Sequence, residues 1–289
     1  MSQSRKSKRK SLSNSSPTPA SESQQAFAEA LDELAVIGGF SNHVSIALVG
    51  LPTNRAGELA SMVHAKMCAH GRSIGAICKS SMFDHSAIIS LGRMMMDGMT
   101  MYFYLLEKIT DDEWALRYLV LRLHDTVARI KLIRASKPKS EYADLTAGRL
   151  SLVEEIKQSP CYGLLNTAQQ ERVVTGEEIF VGGMRHAATR VGGWREETFL
   201  ALYNYFSAHM HTAPMSYMRM RTHTVDYFAA SEAQYASARM AMIVSVACLR
   251  RVSLHCLDRQ PGAHSQFSTE HLASVRQQDA DCNVFSHGG

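Results

Sequence analysis

Residues 84–109 read DHSAIISLGRMMMDGMTMYFYLLEKI. Apolar side chains fall on nearly every side of a helix drawn through this segment, and a helix of that kind is buried on most of its faces. Asp84 is a residue type that caps helix N-termini, because its carboxylate accepts hydrogen bonds from free backbone N–H groups. The sequence therefore predicts a central helix over 84–109 with other helices packed around it.

The flanking segments also predict helices, because apolar residues recur at spacings of three and four and few runs alternate as strands do. Ser23 is the expected cap of the first helix, and Gly38-Gly39 its expected end. Residues 160–193, which contain VGGMR and VGGWR, form either two short glycine-ended helices or a loop. The other predicted helices span 24–37, 54–79, 111–133, 141–158, 194–211 and 225–258.

The fold class predicted from these helices is all-α, a multi-helix bundle with long antiparallel helices. One helical domain is expected over 24–260. Residues 1–23 begin with five Lys or Arg in the first ten positions and continue with a Ser-rich stretch, so they predict a disordered basic N-terminal tail. Residues 261–289 are expected to form a polar C-terminal tail.

Composition narrows the function classes. The chain has 289 residues, 45% of them hydrophobic, and a net charge of +4. Because the N-terminal tail carries that excess, a basic nucleic-acid-binding domain is not indicated, although the tail itself can contact nucleic acid or anionic surfaces. No secretory signal and no transmembrane segment is recognised, so a cytoplasmic protein is expected. The six cysteines and thirteen histidines show no metal-binding spacing, and we expect no metal and no cofactor.

Two charged residues interrupt the apolar helix. Arg93 and Asp97 are four residues apart and therefore share one face. A buried charge must be paired or it costs several kcal/mol, roughly 3–5 when one partner is missing. The pair is either an internal ion pair or a device that presents Arg93 to a cavity holding an anion.

A second polar column lies at Tyr203, Ser207 and His211, again spaced by four. Histidine suits general acid–base chemistry because its pKa lies nearest neutrality. The alternative is structural: hydroxyls that bond to the backbone, and a histidine placed favourably at a helix C-terminus. Arg117, beside Trp114 and Tyr118, is a further candidate binding residue, with a solvated helix face as the alternative.

These motifs resemble an uncharacterised bacterial all-helical family of unknown function. Its members carry an R-x3-[DE] helix, an acidic-aromatic-Arg segment and a late S-x3-H motif followed by a small residue and Pro. Here the corresponding residues are Arg93 and Asp97, DDEWALR at 111–117, and SAHMHTAP at 207–214. The resemblance implies that Arg93, Asp97, Ser207 and His211 are neighbours in the fold.

The helical architecture also resembles, more loosely, the HEPN superfamily, in which many members are metal-independent ribonucleases with an R-x4–6-H motif. That motif matches this chain no more often than chance predicts, so the resemblance rests on architecture.

Two hypotheses follow, and whether the chain is an enzyme stays open. The first is a non-catalytic binding or regulatory module, of a kind associated with defence systems, that has a polar Arg/Asp/Ser/His site. The second is a metal-independent RNA endonuclease of HEPN-like toxin or phage-defence type. In it His211 would be the general acid or base, Arg93 would stabilise phosphate charge and Asp97 would orient Arg93. RNA is then the partner, and a homo-oligomer is compatible with either hypothesis.

Overall fold

The computed structural model describes residues 21–136, 138–282 and 284–285. Residues 1–20 of the predicted disordered tail over 1–23 lie outside them, whereas Ser21 caps the first helix and residues 22–23 begin it, because its capping box lies further upstream than expected. Within the described ranges the chain forms twelve α-helices and no strand. They are α1 (Glu22–Ala47), α2 (Arg55–Cys78), α3 (His85–Leu106), α4 (Asp111–Arg134), α5 (Ala143–Gln158), α6 (Thr167–Val173), α7 (Met184–Arg190), α8 (Glu196–Met210), α9 (Pro214–Tyr217), α10 (Glu232–Arg259), α11 (Pro261–His264) and α12 (Thr269–Ala280). The predicted all-α bundle is confirmed.

Helix α1 is longer than predicted at both ends. Ser21, not Ser23, is its N-cap and forms a capping box with Gln24. The helix continues through Gly38-Gly39, where we expected it to end. Glycine ends a helix when it turns to a positive φ, whereas these two stay helical. Continuing the helix buries Phe40 and Val44, which favours it over a stop.

Helix α10 is the most buried helix and packs against α1, α2, α3 and α12. It begins at Glu232, later than the predicted residue 225, because Ser231 and Gln234 form a capping box there. By length and composition alone α10 could cross a membrane, but 78% of its most apolar window is buried inside the protein. Burial of that kind is typical of the core helix of a globular protein.

Helix α3 packs against α2, α8 and α10, so its nearly all-apolar surface is covered as predicted. Gly92 lies where three helices meet: a Cβ at this position would come 3.1 Å from Ala241 Cβ and 3.2 Å from the Phe206 ring. A larger residue would push the helices apart. The absence of a side chain at Gly92 thus brings α8, with its polar column, close to α3.

The remaining chain forms smaller units. Helices α4, α5 and α6 bury a second hydrophobic cluster, which includes Leu123, Ile156 and Val173. The segment 160–193 contains the short helices α6 and α7, and Gly183 starts α7 with a φ of 87°. This corresponds to the first of the two alternatives given for that segment.

The prediction of a polar tail after residue 260 is wrong. Helices α11 and α12 occupy most of that segment, and Leu272, Val275 and Phe285 belong to the main hydrophobic core. Phe285 packs edge-on against Trp194, with 4.9 Å between ring centroids. Two or three apolar residues in a polar segment gave too weak a periodic signal to predict a helix. They are enough to hold the segment against the core, because the core already presents a hydrophobic surface.

Candidate functional site

Four predicted residues meet where α3 and α8 pack together. Arg93 is buried on α3 and its Nε donates a hydrogen bond to Ser207 Oγ on α8, over 3.1 Å. Its guanidinium forms an ion pair with Asp97 one turn later on α3. The guanidinium carbon also lies 3.5 Å from the centroid of the Tyr203 ring, a cation–π contact. Arg93 is therefore held by a carboxylate, a hydroxyl and an aromatic face.

The ion pair is only half buried. The Arg93 side chain is 4% exposed and the Asp97 side chain 39%. Burial raises the pKa of the Asp97 carboxyl, while Arg93 opposes that rise by hydrogen bonding and charge. The guanidinium thus sits in the protein interior, and the carboxylate connects it to the surface.

Arg93, Asp97 and Tyr203 line a cavity of about 390 Å³ between α2, α3, α8 and the segment before α7. Its remaining walls are mostly apolar and rich in methionine. They comprise Val63, Met67, Met94, Gly98, Met101, Ile179, Phe180 and Met184, with Lys66 and His70 on the α2 side. The volume is within the range of small-molecule sites, and so is the combination of apolar walls with a few polar groups.

Lys66 gives the α2 side of this cavity a positive charge, and His70 adds a titratable ring beside it. They are four residues apart on α2 and therefore share a face. The pKa of His70 is lowered first by burial and then by the charge of Lys66. Within the described part of the chain, no carboxylate pairs with Lys66.

His211 is not part of this group. It is an exposed residue just after α8, where its backbone N–H donates to the Ser207 carbonyl. His211 is not among the described residues that line the cavity beside Arg93. Spacing by four placed it on the same helix face as Ser207, but His211 is the C-cap of α8 and its side chain is exposed to solvent.

Arg117 lies at a different place and is buried, contrary to the solvated helix face. Its guanidinium donates to the Tyr104 carbonyl over 2.9 Å and to Glu107 over 2.6 Å. Glu107 also pairs with Arg190. Arg117 therefore ties α4 to the end of α3. Its carboxylate partner Glu107 is ten residues away, whereas residues that meet on one helix face are three or four apart, so the pair could not be predicted from spacing.

Two groups of polar side chains were not predicted. The first is a chain of hydrogen bonds that joins α1, α2 and α10: His64 Nε2 lies 3.1 Å from Ser253 Oγ, and Ser253 donates to Ser41 over 2.9 Å. Burial lowers the pKa of His64 to about 4, so the ring is neutral at pH 7. On the other side of this ring lies Cys256, whose Sγ is 3.7 Å from His64 Nδ1.

The second unpredicted group contains His209, two residues before His211. Its ring lies 5.8 Å from that of His85, between centroids, and 4.9 Å from that of Tyr205. The sequence signal was present, because His209 lies inside the predicted helix 194–211. Its partners are far away in the chain, however, so their convergence needs the fold.

Within the described residues, no group of three or more His, Cys, Asp or Glu side chains could hold a metal ion. All six cysteines are free, and burial raises the pKa of the Cys68 thiol to about 11 and of the Cys256 thiol to about 12. Those thiols stay protonated and are poor nucleophiles.

No family model, curated protein or solved structure matches the chain.

Proposed function

We propose that the chain is a non-catalytic binding protein whose cavity beside Arg93 takes a small ligand with an apolar body and one anionic group. The observation that carries this proposal is the combination of methionine-rich walls with Lys66 and His70 on one side. A pocket of mostly apolar lining with a few polar groups is the usual form of a small-molecule site.

The charges indicate where the anionic group would bind. Asp97 already neutralises Arg93, whereas Lys66 has no carboxylate partner within the described residues. An anion beside Lys66 would also favour protonation of His70. The apolar body would then lie against Met67, Met101 and Phe180. Methionine side chains are flexible and adapt to ligands of different shape.

The ribonuclease hypothesis receives less support from this geometry. That mechanism needs His211 close to the phosphate that Arg93 stabilises, yet His211 is exposed beyond the end of α8. Arg93 is also occupied by Asp97 and Ser207, so a phosphate would have to displace the carboxylate. Expression of the wild type and of His211→Ala, followed by inspection of total RNA, separates the two hypotheses, and we expect intact RNA with both.

The binding proposal is tested with two fluorescent probes that share one apolar body. One is 1-anilinonaphthalene-8-sulfonate, which carries a negative charge, and the other is the uncharged N-phenyl-1-naphthylamine. We expect Lys66→Gln to lower the affinity for the charged probe about fivefold or more, because a charge-assisted contact is lost. Its affinity for the uncharged probe should not change. Met94 is a half-exposed residue of the cavity wall, so Met94→Trp should narrow the cavity and lower the affinity for both probes.

Lys79→Gln is the matched control, because Lys79 is exposed at the end of the same helix and does not line the cavity. Equal affinities of wild type and Lys66→Gln for the charged probe would contradict the proposal. So would a Met94→Trp variant that still binds both probes normally, because the probes would then bind elsewhere.

A further inference from the structure

A second, smaller cavity lies between the start of α3, the end of α8, the start of α10 and the loop that joins α8 to α10. Its volume is about 150 Å³. Four basic side chains from three elements line it: His85 from α3, His209 from α8, and Arg219 and His223 from the loop. Among the described residues that line it, none is a carboxylate. The cavity therefore collects hydrogen-bond donors and the permanent positive charge of Arg219, with no carboxylate among the lining residues described.

The hydrogen bonds around His85 fix where its proton sits. Gln234 is buried, and its Oε1 accepts from the N–H groups of Asp226 and Ser231 over 3.1 and 2.9 Å. Its Nε2 is therefore the donor, at 3.0 Å from the Asp226 carbonyl and 3.4 Å from His85 Nδ1. Because His85 Nδ1 accepts, the ring proton is on Nε2. His85 is held as a neutral ring with one remaining donor.

His209 is oriented in a similar way. Its Nδ1 lies 3.2 Å from Ser86 Oγ, and its ring stands edge-to-face with that of His85. Burial, followed by the charges of His85 and His223, lowers the pKa of His209 to about 4. Charging this ring at neutral pH is therefore opposed by its surroundings. An anion in the cavity would remove that opposition, because opposite charge within a few ångströms favours the protonated ring.

The nearby acids are engaged elsewhere. Asp84 accepts from the Ala87 N–H over 3.0 Å as the cap of α3, and it raises the pKa of His85 less than burial lowers it. Asp226 accepts from the Phe228 N–H over 2.8 Å. Glu232, at the start of α10, hydrogen-bonds to Ser21 and Ser23. The aromatic rings that face the histidines are those of Tyr205 and Tyr227.

We propose that this cavity is a binding site for a tetrahedral oxyanion of the phosphate class, held by Arg219 and the rings of His85, His209 and His223. The volume admits such an anion but leaves little room for an attached base or sugar. The anion is either free inorganic phosphate or the terminal phosphate of a monoester whose remaining part extends past the exposed Arg219. The site is separate from the cavity beside Arg93 and does not depend on the function proposed for it.

Sulfate is the first probe, because it stays a dianion between pH 5 and 8 and any pH dependence then belongs to the protein. We expect sulfate to bind at least about tenfold more tightly at pH 5.5 than at pH 7.5 in calorimetry at constant ionic strength, because binding takes up protons. Inorganic phosphate and phenyl phosphate, compared at pH 5.5, distinguish the two sources. Tighter binding of the ester indicates a monoester ligand, and tighter binding of the inorganic ion indicates free phosphate.

Arg219→Gln is the test variant, and Arg221→Gln is its control. Both arginines are exposed in the same loop, but only Arg219 lines the cavity. We expect Arg219→Gln to weaken sulfate binding about fivefold or more, and Arg221→Gln to have little effect. His209→Gln removes the ring whose pKa burial lowers to about 4, and it should flatten the pH dependence.

Three results would overturn the proposal. The first is a sulfate affinity that is the same at both pH values, and the second is an equal loss of sulfate affinity in the two arginine variants. The third is that the folded wild type binds none of the three anions measurably. The naphthalene probes are read through Lys66→Gln and Met94→Trp in the Arg93 cavity, and sulfate is read through Arg219→Gln in this one, so failure there and failure here are distinguishable.

Discussion

Arg93 is accommodated inside an otherwise apolar helix because its Nε–H, its charge and its flat face each have a partner. The Nε–H reaches Ser207, the ion pair with Asp97 balances the charge, and the flat face lies on Tyr203. Removal of one partner leaves the others in place, so the cost is smaller than that of a buried cation left alone. The arrangement uses α8 to fix the position of a side chain on α3.

Asp97→Ala should lower the free energy of unfolding by about 2 kcal/mol, because this pair lies between an exposed and a fully buried ion pair. Exposure of the Asp97 side chain to 39% lets water reach the vacated position, while Arg93 stays buried. Urea denaturation at pH 7 measures the loss. Asp97→Asn, which keeps an acceptor of the same shape, should lose less. A loss within experimental error for Asp97→Ala would show that the carboxylate is dispensable.

At the scale of elements, α8 ends in a turn whose backbone suits glycine but which contains threonine. The N–H groups of Thr212 and Ala213 donate to the carbonyls of His209 and Ala208, which is the Schellman pattern. The C′ residue of that pattern is left-handed, and Thr212 has a φ of 51°. A β-branched residue is strained there. The turn directs the following loop towards the cavity that contains His209.

Thr212→Gly should therefore stabilise the protein by about 1 kcal/mol, because relief of the left-handed strain outweighs the added flexibility of the unfolded chain. The melting temperature and the urea midpoint should both rise. Thr222→Gly is the control, because Thr222 lies in the same loop but has no positive φ. This variant should be less stable than the wild type or equally stable. Destabilisation of Thr212→Gly would mean that the Thr212 side chain makes a contribution larger than the strain.

At the scale of the whole molecule, α1, α2, α3 and α10 share a core that includes polar side chains. Ser41, His64 and Ser253 come from three of these helices and hydrogen-bond to one another where no water reaches them. A satisfied buried network specifies one packing arrangement, since any shift leaves a polar group without a partner. The neutral state of His64 also makes the stability of the fold depend on pH.

The free energy of unfolding should be lower at pH 5 than at pH 7, with about 2 kcal/mol of the loss due to His64. Burial lowers the pKa of His64 from 6.5 to about 4. Between those values the unfolded chain binds a proton that the folded chain does not, so stability falls as the pH falls through this window. His209, with a pKa of about 4, acts in the same direction.

His64→Gln should reduce this pH dependence, although it should also lower stability at pH 7. His211→Gln is the control, because His211 is exposed. Urea denaturation at pH 5 and pH 7 measures the difference in the free energy of unfolding between the two pH values. The same difference in His64→Gln as in the wild type would show that His64 does not cause the pH dependence.

Particular residues show how far the sequence could be read. Asp84 and Asp111 marked the starts of α3 and α4 correctly, since caps and first-turn acids act within a few residues. Arg93 and Asp97 were identified as a pair for the same local reason. Glycine was a weaker guide, because Gly38 and Gly39 are equally compatible with a helix end and a helix interior. The contacts of Arg117, His64 and His209 join residues far apart in the chain, and no local pattern encodes them.

The sequence by itself determined the all-α class, most helix ends, and the presence of an arginine inside an apolar helix, because periodicity and capping are properties of short segments. Only the tertiary structure decided what surrounds that arginine. The packing of α8 on α3 brings Ser207 and Tyr203 to Arg93, and the end of α8 at Met210 leaves His211 exposed. Sites form where distant helices meet, and the distances between those helices are set by side-chain packing across the whole core.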